Sequence, residues 1–454
     1  MREASSGSYV ARRRLLLSAG AGLPVMAAAC GQPSGQPAPG ERGQAPVTLE
    51  VWYSGSGDAN DQLHRRLFDS FRQKHPGITV NGQPGLNSLE KLTAAITAGT
   101  PPDLTSVPNP PQYGGQGMAL AIDEFLARDR RFRKDDYWET PWERGRFYGK
   151  AYGLPIYTDT RLLWWNKAHF QQAGLDPSRP PRTWSELKQM ARRLTQRAPD
   201  GAIAQLGFSP LFAQSFFWMW RAQSRASKTS RQYFSDEKVP RALWNDQAGV
   251  DALTFMAETV KEVGGYTDVT AFQQGLRTSG GQFPLFTGKM SMVVMGNWIM
   301  ADLKQYAPQL DYGLAPEPVP DKDGQRATMA GGYFWMIPTG TKHKDAVWEL
   351  VKHLLEDPNL LEFCKVRDQL PAKKSVAADP YFAQGTHKPF IEAIAWSIPF
   401  FELPYGGEIW AAINEARDLA VSGQVAPRQA LDEAVRKANL AIETYFRERL
   451  GITR

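Results

Sequence analysis

The chain has 454 residues, 53 Lys and Arg against 47 Asp and Glu, a net charge of +6 at pH 7 and a mean hydropathy of −0.43. Residues 1–29 contribute Arg2, Arg12, Arg13, Arg14 and Glu3, so the remainder carries only +3, which gives no electrostatic case for nucleic acid. Beyond that segment no apolar run approaches the roughly 20 residues of a membrane span, and two cysteines, Cys30 and Cys364, exclude a disulfide framework.

Arg12, Arg13 and Arg14 precede the small, apolar run Leu15 to Ala29, the layout of a secretory signal too short to span a bilayer. Ala11-Arg12-Arg13-Arg14-Leu15-Leu16 resembles a twin-arginine export signal, and the general route fits equally. Ala27-Ala28-Ala29-Cys30-Gly31 resembles a bacterial lipobox, with Ala27 where leucine is usual. Either Cys30 is lipidated as the mature N-terminus, or ordinary cleavage follows the alanine run. Residues 30–46 are a Gly, Pro, Gln and Ser-rich linker that cannot repay the entropy of ordering. An extracytoplasmic protein, anchored by lipid in the periplasm or on the outer face of the cytoplasmic membrane, is predicted.

The chain after this linker exceeds the roughly 250–300 residues at which a single core stops growing, so two lobes are expected. VTLEVWYS reads as a strand, and DANDQLHRRLFDSFRQKHPG as a helix with Leu63, Leu67, Phe68 and Phe71 on one face and Pro76-Gly77 at its end. ITV, LNSLEKLTAAITAG and DLTSV continue as strand, helix and strand. This alternation predicts an open parallel sheet flanked by helices, with ligand beyond the carboxyl ends of the strands.

The middle, about 159–300, is rich in helix signals and aromatics. Thr183-Trp184-Ser185-Glu186 matches a capping box. Near Ala330 the β-type run ATMAGGYFWMIP leads into HKDAVWELVKHLLEDP, whose Val347, Leu350, Val351, Leu354 and Leu355 form a core stripe, as though the chain returns to complete its first lobe. Cys364, in LLEFCKV, reads as a buried, inert thiol. The end is a long helix opened by Pro427 and closed by Gly451.

YGLPIYTDTRLLWWNKAHFQQAGLD with PPRTWSELKQMARRL, then FTGKMSMVVMGNWIM, GGYFWMIPTGTK and QLPAKKS, resemble in order and spacing the landmarks of the family 1 extracellular solute-binding proteins of ABC importers. The resemblance covers nearly the whole chain after the linker. It implies an α/β, two-lobed periplasmic-binding-protein fold of class II type, each lobe a mixed, mostly parallel sheet flanked by helices, hinged about a cleft. The divisions expected are 1–29 signal peptide, 30–46 lipidated cysteine and linker, 47–157 first lobe, 158–327 second lobe, 328–368 return to the first lobe, and 369–454 C-terminal helices of the second. It also implies a monomer that delivers carbohydrate, a di- or oligosaccharide, to the transmembrane subunits of a permease, with no cofactor, metal or catalysis.

A pyranose has apolar faces and a belt of hydroxyls, so its site needs aromatic platforms and planar polar groups. Candidates on the first strand's loop are Tyr53, Ser54 and Asp58, although Asp58 can equally serve the helix N-terminus. Asp103, Asn109 and Tyr113 flank the third strand, where Asp103 can simply cap a turn. Asp159 and Trp165 fall at the implied lobe crossing, but Trp164 and Trp165 alternate, so one is core. Trp218 shares that ambiguity with Trp220. The resemblance puts a stacking aromatic at Asn297-Trp298, ligand-facing glycines at Gly331-Gly332 beside Tyr333, and a final aromatic wall at Tyr405 and Trp410, where Trp410 can instead pack its own helix. Arg367 can fork to hydroxyls, bind a phosphate, or form a surface ion pair.

The runner-up cargo is a glycerophosphodiester or glycerol-3-phosphate, for which Arg367 is the one candidate cation. A glycoside hydrolase would need two carboxylates about 5–10 Å apart across the bond, which sequence spacing cannot give. A surface adhesin would need an exposed patch. No HExxH, CxxC or GxSxG motif is present, and GGQFPLFTGKM lacks the first glycine and the Ser or Thr of a phosphate loop.

Overall fold

The structure, a computed structural model, describes residues 46–453 except 56, 277–279, 401 and 402. The expected signal peptide, Cys30 and nearly all of the linker lie outside the described residues.

Eleven strands matter for the site: β1 (Val47–Tyr53), β2 (Ile78–Pro84), β3 (Leu104–Val107), β4 (Leu154–Thr158), β5 (Arg161–Asn166), β6 (Met292–Gly296), β7 (Tyr312–Ala315), β8 (Thr328–Ala330), β9 (Tyr333–Met336), β10 (Leu370–Pro371) and β11 (Ser397–Pro399). The first sheet has the order β10-β4-β9-β3-β1-β2 and the second β6-β5-β7, while β8 pairs with β11. β1 runs parallel to β2 and β3, as the strand-helix-strand pattern predicts. Leu49, Val51 and Tyr53 are buried, and so are Leu63, Leu67, Phe68 and Phe71 of the Asp58–Lys74 helix that covers them.

β8 and β11 also pair in parallel, but the remaining pairs of the two larger sheets differ from the mostly parallel sheets expected. β9 is antiparallel to both β3 and β4, β10 is antiparallel to β4, and both neighbours of β5 are antiparallel to it. Parallel neighbours need a crossover helix on the same sheet. Here β9 enters from β8, on the other side of the cleft, and so runs opposite to its neighbours.

Two cores result. The first joins β1, β3 and β4 to Val347, Leu350, Val351 and Leu354 of the Lys344–Leu354 helix, which is the return read from the sequence. Each such side chain contributes about 2 kcal/mol by burial. The second surrounds β5 and β6 and includes the Gly406–Val421 and Pro427–Leu450 helices. Gly451, at φ +65°, ends the last of these through a bond to Phe446 O. Thr183 caps the Trp184–Leu194 helix by accepting from Glu186 N at 3.2 Å, but the Glu186 carboxylate accepts from Arg182 N at 2.7 Å, one residue earlier than a capping box requires. Cys364 is fully buried in the first core, and burial pushes its thiol well up, so it stays protonated. Leu370–Pro371 still pair with the first sheet before the chain moves to the second core.

Candidate functional site

Two links carry the chain between the sheets: Asp159-Thr160 between β4 and β5, and Gly331-Gly332 between β8 and β9. They lie side by side, with Thr160 bridged to Ala330 and Gly331 N donating to Asp159 Oδ1 at 2.7 Å. Both glycines are required. A Cβ on Gly331 would stand 2.5 Å from Asp159 Oδ1; one on Gly332, at φ +115°, would stand 2.1 Å from Tyr157 O.

Over these links opens a cleft of about 320 Å³, lined by Pro108, Arg144, Tyr157, Asp159, Arg161, Gln214, Trp298, Gly331, Gly332, Tyr333, Gln369 and Phe400. Its floor is the buried pair of Arg161 and Asp159. Arg161 Nη1 also donates to Met329 O at 3.2 Å, and Nε and Nη2 donate to Gln214 Oε1 at 3.4 and 3.2 Å. Its guanidinium stands 4.9 Å from the Trp298 ring centroid and 5.4 Å from that of Phe400, both in cation–π range. Arg144 donates to three carbonyls: Phe400 O at 3.1 Å, Pro108 O at 3.1 Å and Gly332 O at 3.5 Å. Both guanidinium groups are thus committed to the protein.

Acceptors remain. Among the described residues Asp159 Oδ2 has no hydrogen-bond partner, its Oδ1 taking both Arg161 and Gly331. Gln369 Oε1 has no partner among the described residues either, but that atom is buried. The aromatic faces are backed by further rings: Phe400 stacks on Trp410 at 5.4 Å, and Tyr333 on Tyr157 at 5.6 Å. Burial pushes the Tyr157 phenol far up, so it stays neutral. The site therefore presents rings beside a carboxylate oxygen and an amide, the groups that meet a ligand's C–H faces and hydroxyl donors.

Of the residues singled out from sequence, Asp159, Trp298, Gly331, Gly332 and Tyr333 line this cleft. The first strand's loop does not. Tyr53 is buried with its ring 3.7 Å from His64, and Asp58 lies exposed in the first helical turn. Ser54 N donates to Ser106 Oγ at 2.8 Å, and Ser54 O accepts from Arg367 Nη1 at 2.9 Å. Arg367 thus holds that loop through its backbone and is absent from the cleft lining. Asp103 precedes β3, at the end away from the cleft, and accepts from Glu50 N at 3.0 Å. Burial is the main cause raising its carboxyl.

Asn109, next to Pro108, bonds Gln112, and Tyr113 is buried against Leu92, Val107 and Met336. Trp165 belongs to the second core, its Nε1 bonded to Pro177 O at 3.0 Å. Trp218 is enclosed by Trp244 at 4.8 Å and Trp410 at 6.1 Å. Tyr405 is buried against Tyr445, and Trp410 forms the layer behind Phe400. Asn297 is fully buried beneath Trp298 and bonds Asp368 O. Sequence reasoning missed Pro108, Arg144, Tyr157, Arg161, Gln214, Gln369 and Phe400. Arg161 alone carried a signal, as the one charge in the otherwise apolar strand RLLWW.

A wider depression of about 910 Å³ lies on the Trp184–Leu194 helix, but no aromatic lines it and its charges pair locally, Arg192 with Glu262 at 3.6 Å and Arg179 with Glu186 at 3.7 Å. Among the described residues there is no cluster of three His, Cys, Asp or Glu able to hold a metal, and no helix is long and apolar enough to cross a membrane.

Residues 56–359 match the profile of the family described as bacterial extracellular solute-binding protein. The chain is 24% identical over 380 residues to the galactooligosaccharide-binding protein of Bacillus subtilis (strain 168), covering 81% of this chain and 84% of that one. It is 23% identical over 433 residues to the sn-glycerol-3-phosphate-binding periplasmic protein UgpB of Escherichia coli (strain K12), covering 88% and 94%. The solved structure of CpMnBP1 with mannobiose bound is similar over 87% of this chain and all of the other, with a TM-score of 0.72 and 24% identity.

Proposed function

Because the chain belongs to the bacterial extracellular solute-binding proteins, we propose that it is the extracytoplasmic substrate-binding subunit of an ABC importer whose cleft takes a neutral carbohydrate. The observation that carries this is the lining itself: Trp298, Tyr333 and Phe400 stand beside Asp159 Oδ2, an acceptor with no partner among the described residues. A relative that binds galactooligosaccharide and a fold neighbour holding mannobiose support the same class. A volume of about 320 Å³ sits at the small end of ligand pockets, roughly 300–1,000 Å³, and favours one or two sugar rings.

The similarity to the glycerol-3-phosphate-binding protein, with two arginines in the cleft, favours a second reading. Against it, Arg144 and Arg161 already donate to carbonyls, Asp159 and Gln214, which leaves poor geometry for a phosphate fork. Binding proceeds without turnover in this proposal: Asp159 is the one carboxylate among the described lining residues, where glycoside hydrolysis needs two. Export by the N-terminal segment, lipid attachment at Cys30, action as a monomer and delivery to permease subunits complete the reading.

The test is a thermal-shift and calorimetric screen of the chain from residue 41 against manno- and galacto-disaccharides, longer oligosaccharides, monosaccharides and glycerol-3-phosphate. A micromolar ligand at millimolar concentration adds roughly 4 kcal/mol to stability. A shift with neutral sugars, lost in Trp298→Ala, supports the proposal. A shift with glycerol-3-phosphate alone selects the second reading, and sugar released from a bound oligosaccharide refutes binding without turnover.

A further inference from the structure

Asp368 follows the Asp357–Val366 helix at φ +49°, a left-handed conformation that glycine or asparagine enters more readily. A buried residue kept in such a conformation calls for a compensating interaction, and this side chain has several. The side chain is 8% exposed, and its carboxylate accepts from Tyr381 Oη at 2.6 Å, His387 Nε2 at 3.2 Å and Lys304 Nζ at 3.0 and 3.1 Å. Burial by itself would raise this carboxyl, but the bonds from His387, Tyr381 and Lys304 outweigh it and hold it at about 2.

The main chain of Asp368 acts in the other direction. Its oxygen accepts from Asn297 Nδ2 at 2.9 Å, whereas Asn297 Oδ1, fully buried, has no partner among the described residues. Lys304 lies on the Ile299–Tyr306 helix, which Asn297 and Trp298 immediately precede, and Gln369 follows Asp368. One residue therefore ties the segment carrying Trp298 to the segment carrying Gln369, and both of those side chains line the cleft.

We propose that Asp368 is a positioning residue for the ligand, clamping the Trp298 segment of one lobe to the Gln369 turn so that ring and amide face the ligand in fixed register. This inference rests on the carbohydrate-binding reading. It explains why an aspartate is kept where asparagine would relax the backbone: only the carboxylate gathers Lys304, Tyr381 and His387 together.

Asp368→Asn suits the left-handed backbone and removes the charge, and Lys304→Met removes one arm of the clamp from a largely exposed position, while Lys304→Arg retains it. Hydrogen exchange of the ligand-free protein and calorimetric affinity for the sugar found in the screen read the outcome. Asp368→Asn and Lys304→Met are expected to speed exchange across residues 292–306 while β1 stays unchanged, and to weaken binding roughly tenfold for Asp368→Asn, about one charged hydrogen bond. Lys304→Arg restores both readings. Unchanged exchange across 292–306, or exchange that rises everywhere alike, overturns the inference. If the unsubstituted protein binds no carbohydrate, the functional reading fails, and the exchange result by itself decides whether Asp368 holds the Trp298 segment.

Discussion

Asp159→Asn keeps the shape of the cleft floor and removes one charge. In the structure Asp159 Oδ1 takes both Arg161 and the Gly331 amide, with the two paired side chains 6% and 12% exposed. Removing one member of a buried pair costs about 3–5 kcal/mol, because the other charge is left uncompensated. Asparagine can keep its one oxygen on both Arg161 and the Gly331 amide, with its NH2 in the place of Oδ2, but the charge that compensates Arg161 is gone, so a loss of about 2–3 kcal/mol is expected in denaturant unfolding. A neutral sugar that donates to Asp159 Oδ2 loses a charge-assisted bond, which weakens it about 10- to 100-fold by calorimetry. Arg161 then has no carboxylate partner among the described residues, so glycerol-3-phosphate should bind more tightly than before. Sugar affinity equal to the unsubstituted protein would refute the assignment of Asp159 as an acceptor. A phosphate ligand bound no better would refute the argument that Asp159 keeps Arg161 from anions.

Two neighbouring glycines should behave differently. Gly331→Ala drives its Cβ into the Asp159 carboxylate at 2.5 Å, a side chain that can yield, so ligand affinity falls tenfold or more while stability drops by about 1–3 kcal/mol. Gly332→Ala meets backbone at 2.1 Å from φ +115° and should cost more than 3 kcal/mol, seen as poor expression or early unfolding; equal thermal stability of the two variants would contradict the geometry. Glu317 is buried with Oε1 accepting from Thr328 at 2.9 Å, and burial raises its carboxyl from 4.5 to about 8. The folded chain then holds a proton that the unfolded chain has lost, so this contribution to stability is full below about 4.5 and declines by about 1.4 kcal/mol per pH unit until about 8. Glu317→Gln should flatten that slope in unfolding measured at pH 5, 6.5 and 8, whereas parallel curves would mean Glu317 is ionised in the folded protein.

What could be read from the sequence, and what could not, divides along the range of the interactions. The helix faces were legible because Leu63, Leu67, Phe68 and Phe71, or Val347, Leu350 and Val351, declare one buried side through spacing alone. Gly331-Gly332 was legible through the family resemblance, which implies that these glycines face the ligand, with unblocked amides beside Tyr333. Trp165, Trp218, Tyr113 and Tyr405 were not: an aromatic in sequence says that a large face needs covering, but whether core or ligand covers it depends on strands that arrive from elsewhere.

The same holds for the cleft's polar groups. Arg144, Arg161, Gln214 and Gln369 converge from four separate segments, and nothing local distinguishes Arg144 or Gln369 from a surface residue. Arg161 is the instructive case. A cation opening an apolar strand has to find a carboxylate before it can be buried, and Asp159 stands two positions earlier, which could have assigned both residues to the cleft floor. That pairing is also what separates the two proposed cargoes: with Arg161 already paired to Asp159, the carbohydrate proposal has Oδ2 as an acceptor for a hydroxyl, and the phosphate reading lacks an uncommitted cation in Arg161.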